Sequence, residues 1–79
     1  TRRGNVYENN MKLGNLAILA GAFDEAEKAY QRAAELKPEA GDPHFNLGEI
    51  YQSAKLKEKA VEEYENAIRL DGAVRLAPK

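Results

Sequence analysis

The stretch Asp42–Leu70 has a second copy upstream. Moved back by 34 residues, Leu47, Gly48, Ala54, Ala60, Tyr64, Ala67 and Leu70 land on Leu13, Gly14, Ala20, Ala26, Tyr30, Ala33 and Leu36, and all seven pairs are identities. An internal period of this length constrains the fold more than any other property of the chain. A repeat of this size is one supersecondary unit that cannot bury its apolar face alone, so neighbouring units must stack.

Within each copy the spacing is helical. Leu13, Leu16, Ala17 and Ala20 fall at i, i+3, i+4 and i+7, which is one face of an α-helix. Leu47, Ile50, Tyr51 and Ala54 repeat that face. Gly21 can end the first helix in a left-handed conformation without a Cβ penalty. Asp24 and Glu27 stand at capping-box spacing for the second helix. Its buried stripe is Ala26, Ala29, Tyr30, Ala33 and Leu36, and Pro38 with Gly41 closes the unit. Asp42 can cap the third helix, with Pro43 in the first turn, where proline costs no hydrogen bond. The fourth carries Ala60, Val61, Tyr64, Ala67, Ile68 and Leu70 and ends at Asp71-Gly72. The pattern predicts four helices near residues 7–20, 24–37, 43–54 and 58–70. Gly14 and Gly48 fall inside helices, where glycine costs ~1 kcal/mol relative to alanine. Close approach of the following helix at Ala26 and Ala60 is expected to offset that cost, with Tyr30 and Tyr64 filling the wider part of each hairpin.

Two in-phase copies, each with Leu-Gly in the first helix and a small–aromatic–small series in the second, resemble the tetratricopeptide repeat family. The resemblance implies an all-α fold, an α-α superhelix in which two antiparallel helical hairpins stack with a right-handed twist. It divides the chain into a flexible lead at 1–6, units at 7–40 and 41–74, and a tail at 75–79, all one domain and part of a longer protein. Departures from the family pattern are local. The large residue usual three before Leu-Gly is Asn10 or His44, and the following tyrosine is kept at Tyr51 but reduced to Ala17. The turn glycine is kept at Gly21 and replaced by Lys55, the aromatic before the second helix is Phe23 or Lys57, and repeat-final Pro38 becomes Gly72.

The resemblance also implies a function: a protein-interaction scaffold that takes a peptide or protein segment on its concave face. Met11 and Phe45, each two before Leu-Gly, lie opposite the core stripe. Asn15 and Ile18 continue that face in one unit, and Glu49 and Gln52 in the other. Met11, Ile18 and Phe45 are the candidate apolar anchors; Lys12, Asn15, Asn46, Glu49 and Gln52 are the candidate hydrogen-bonding groups. Asn15 and Asn46 match two asparagines with which carboxylate-clamp members of the family hold a peptide C-terminus. Met11, however, replaces the clamp's first lysine. An alternative is self-association through an exposed edge, since Val61 and Ile68 lack the neighbour that a third unit would supply.

Composition removes other classes of function. With 12 basic and 13 acidic residues the formal charge is −1, which gives no field to hold a nucleic acid. The absence of cysteine excludes a disulfide framework and thiolate metal sites. The longest apolar run, Leu16 to Phe23, is far short of the roughly 20 residues that span a bilayer, so no membrane insertion is expected. The chain begins at Thr1 without a signal-peptide pattern, which suggests a processed product or an excised piece and a cytoplasmic setting. His44 is the only histidine and Ser53 the only serine. Neither has a metal partner or a base placed beside it by a local pattern. Glu62, Glu63 and Glu65 are expected on a solvated helix face, and Lys55, Lys57 and Lys59 on a solvated turn. No enzymatic activity and no cofactor are expected.

Overall fold

The computed structural model describes the backbone of residues 6–76 and side chains as far as Leu70. Four helices follow one another: α1 Val6–Leu19, α2 Phe23–Leu36, α3 Asp42–Ser53 and α4 Lys57–Leu76. Each packs on the next, α1 on α2, α2 on α3 and α3 on α4. The result is all-α, two helical hairpins stacked through α2 and α3. Residues 1–5 of the expected lead and 77–79 of the expected tail lie outside the described residues.

The two hairpin turns have the same geometry although their sequences differ. In the first, Gly21 takes a φ of +78°, and the Ala22 and Gly21 N–H groups donate to the carbonyls of Ala17 and Ile18 at 2.8 and 3.0 Å. In the second, Lys55 takes a φ of +66°, with Leu56 and Lys55 donating to Tyr51 and Gln52 at 2.8 and 3.0 Å. Both are Schellman closures, in which a left-handed residue lets the chain satisfy the last helical carbonyls. Lys55 adopts the conformation that glycine would take without strain.

Side-chain caps do not form at the starts of α2 and α3. The residue before α2 is Ala22 and the residue before α3 is Gly41, neither with a side-chain cap. Asp24 and Asp42 instead lie within the first turns of their helices, where a negative charge still favours the positive end of the helix dipole. Glu27 is not used for capping; its carboxylate binds Tyr51. The end of α4 also differs from expectation. Proline at position 38 stops α2 at Leu36, because it lacks an N–H and disfavours helical geometry in the residue before it. Gly72, at the equivalent place, keeps its N–H, and α4 continues through Asp71-Gly72 to Leu76.

The core is one cluster of Ala26, Tyr30, Leu47, Ile50, Tyr51 and Ala60, with Met11, Ala17, Ile18 and Tyr64 packed against it. Its helical glycines serve the tyrosines. A Cβ on Gly48 would lie 2.7 Å from the Tyr64 ring, and one on Gly14 would enter the Tyr30 ring. Each glycine therefore makes room for the aromatic ring of its own hairpin, not for Ala26 or Ala60. Parts of the expected core stripe are exposed: Leu13, Leu16 and Ala20 on α1, Leu36 on α2 and Ala54 just after α3; Val61 and Ile68 on α4 are exposed as well. On α1 and α4 the reason is that, among the described residues, no further helix covers those faces; Leu36 is the last residue of α2.

Candidate peptide-binding groove

Between α1 and α3 runs an open groove of about 390 Å³. Asn15, Ile18 and Leu19 reach it from α1, and Asn46, Glu49, Ile50 and Ser53 from α3. Both sets keep helical spacing, so each is one face of one helix. Tyr30 and Phe23 of α2 complete the lining. Gly14 is what lets Tyr30 reach this position from beneath.

Hydrogen bonding fixes what the groove presents. The Tyr30 hydroxyl donates to Asn15 Oδ1 at 2.5 Å. With its carbonyl engaged, Asn15 offers its amide N–H groups to a ligand. Burial, followed by the Glu49 carboxylate, pushes the Tyr30 hydroxyl above its ordinary value, so it remains a donor through the neutral range. Glu49 is the charged side chain among the lining residues, and no lysine, arginine or histidine faces it there.

Of the residues assigned to the concave face, the structure brings Asn15, Ile18, Asn46 and Glu49 together. The others lie elsewhere. Met11 is half-buried against the core and Lys12 is exposed on α1 outside the lining. Phe45 packs on Tyr64 with ring centroids 5.5 Å apart and planes tilted by 52°. Gln52 Oε1 accepts from the Tyr64 hydroxyl at 2.8 Å. Leu19, Phe23, Tyr30, Ile50 and Ser53 line the groove but are not among the residues expected on the concave face. Leu19 and Ser53 did carry a signal, because they stand 34 residues apart, each one position after Ile18 or Gln52.

Comparison with known families adds to this geometry. The family described as TPR repeat matches residues 14–54, and the one described as tetratricopeptide repeat matches residues 42–78. The chain belongs to the tetratricopeptide repeat family. No curated protein matches it. Tetratricopeptide repeats are generally protein-interaction modules, and the two matched spans run from within α1 through the end of α4. His44 of this tetratricopeptide repeat chain is bound within its own hairpin, with Glu63 Oε1 accepting from Nδ1 at 2.7 Å. Among the described residues no group of His, Asp and Glu is arranged to hold a metal ion. No described helix is long and apolar enough to cross a membrane.

Proposed function

We propose that the groove between α1 and α3 binds a segment of a partner protein, with an apolar side chain on Ile18 and Leu19 and polar contacts to Asn15, Asn46 and Glu49. The observation that carries this reading is the convergence of an apolar wall, two amides and a carboxylate from two repeat units on one open groove. Glu49 sets the preference. A bound segment fits best with a lysine, arginine or amide donor near the carboxylate, whereas a free C-terminal carboxylate would meet a like charge and no lining cation.

Selection from a peptide library displayed against the purified chain tests the proposal. Recovered sequences should share an apolar residue followed at short spacing by a basic one. Asn46→Ala should weaken binding of a selected peptide about tenfold, equivalent to ~1.4 kcal/mol. Glu49→Lys should shift the selection toward acidic sequences. Recovered peptides with no common pattern, or binding indifferent to both substitutions, would remove the groove as the site.

A further inference from the structure

We infer, on the basis that the groove is the peptide site, that two repeated tyrosines set its polarity by where each places its hydroxyl proton: Tyr30 on Asn15, which makes that amide a donor, and Tyr64 on Gln52, which leaves the Glu49 carboxylate to a cation of the bound segment. Three pairs of equivalent positions, each 34 residues apart, carry this difference: Tyr30 and Tyr64, Asn15 and Glu49, Ile18 and Gln52. Each tyrosine belongs to the second helix of its hairpin and passes over the glycine of the first. In the first unit the hydroxyl donates to Asn15 Oδ1 at 2.5 Å, and Ile18, one turn further along α1, has no acceptor to compete for it. In the second unit both positions carry acceptors. The Tyr64 hydroxyl donates to Gln52 Oε1 at 2.8 Å, not to Glu49.

Glu49 nevertheless lies close to both rings. Burial, followed by the Glu49 carboxylate, pushes the hydroxyls of Tyr30 and Tyr64 above their ordinary value. A carboxylate that accepts a phenol proton has part of its acceptor capacity used inside the protein. Tyr51 and Glu27 show that outcome elsewhere in the molecule: the hydroxyl donates to Glu27 Oε2 at 2.6 Å, and burial together with that bond pushes it up to about 12. Glu49 is spared this because a hydroxyl has one proton to give and Gln52 takes it. Gln52 does not line the groove, so it acts on Glu49 through Tyr64, as a positioning residue. Tyr30 fixes the opposite pole. With its carbonyl engaged, Asn15 turns its N–H groups toward an acceptor of the segment, such as a main-chain carbonyl. The two units thus present a donor and an acceptor at equivalent positions, and the exchange of Ile18 for Gln52 is what separates them.

Gln52→Ile, which gives the second unit the residue that the first has at Ile18, is the test; Gln52 is exposed on α3, so the helix should be kept. In the free chain, NMR titration of the Tyr64 ring should show its hydroxyl titrating higher than in the wild type, toward the behaviour of Tyr51, because its proton now goes to a carboxylate. A peptide recovered by the library selection supplies the second measurement. The wild type should prefer lysine to norleucine at the basic position of that peptide about tenfold, and Gln52→Ile about threefold or less. Tyr64→Phe added to Gln52→Ile should restore the wild-type preference, a recovery that a merely structural role of Gln52 would not give. Tyr30→Phe should weaken the same peptide about threefold and have no further effect once Asn15 is alanine. An unchanged Tyr64 titration, or a lysine preference that survives Gln52→Ile or is not restored by Tyr64→Phe, would overturn the inference while a peptide weakened by Asn46→Ala still upheld the groove. Failure to recover any groove peptide would remove both. If circular dichroism shows Gln52→Ile to be unfolded, Gln52→Leu, which also lacks the acceptor oxygen, takes its place with the same outcomes.

Discussion

α1 and α3 carry the same Leu-Gly face, and only α3 has it covered. Leu47 and Ile50 are sealed against the first hairpin, while Leu13 and Leu16 face outward. In a repeat array the fate of an apolar face is set by its neighbour rather than by the helix that bears it, because each unit contacts only the units beside it. The comparison makes a direct prediction. Leu47→Ala should destabilise the chain by ~2–5 kcal/mol, the usual cost of a buried leucine truncation. Leu13→Ala should change urea stability of the dilute chain by about 0.5 kcal/mol or less. Equal losses would mean that Leu13 is covered in solution even at low concentration.

The glycines offer a finer contrast. Tyr30 is buried above Gly14, whereas Tyr64 above Gly48 is only partly covered. Gly14→Ala should therefore cost ~1–3 kcal/mol through overpacking. Gly48→Ala should cost less, because the Tyr64 ring can move toward solvent. Thermal melting of the two variants side by side reads the difference; a larger loss at Gly48 would reverse the assignment of the tighter crossing.

A third contrast separates the joint from the hairpins through pH. Burial, reinforced by the hydrogen bond to Glu27, pushes the Tyr51 hydroxyl up to about 12 from an ordinary value of 10.0. The folded chain thus holds this proton more tightly than the unfolded one. Its contribution is complete below pH 10 and is lost as pH rises from 10 toward 12. Tyr7, Tyr30 and Tyr64 are raised as well and act in the same sense. Tyr51→Phe should cost ~1 kcal/mol at neutral pH and flatten the alkaline fall in the urea midpoint. An unchanged alkaline profile would place the sensitivity in the other tyrosines.

The smallest effect compares the turns. Lys55→Gly relieves a left-handed lysine and should stabilise by ~0.5–1 kcal/mol, while Gly21→Ala should destabilise by a similar amount. A loss of stability in Lys55→Gly would show that the lysine side chain contributes more than its backbone strain costs.

The 34-residue identities were enough to read the helices, their order and their pairing, since each element was supported twice. Helix ends were less legible. Asp24 and Asp42 have the chemistry of caps, but the Schellman turn and the Gly41 approach set the first turns one residue earlier. The end of α4 depended on whether position 72 had an N–H, and glycine, unlike proline, permits either outcome. The groove was half legible. Asn15, Ile18, Asn46 and Glu49 follow from helical faces alone, but Phe45 and Gln52 were drawn away by Tyr64, a contact across α3 and α4 that no spacing along the chain displays.

The Tyr51–Glu27 bond has a further consequence. It crosses from one hairpin to the other, and the packing around it includes Ala26, Tyr30, Leu47 and Ile50. Apolar packing tolerates a range of rotation, whereas a phenol donating to a carboxylate is directional. The bond gives the joint between α2 and α3 a directional contact that the apolar packing lacks. Asn15 and Asn46 stand on the α1 and α3 walls of the groove, so the spacing of its two amides depends on a tyrosine that does not line it.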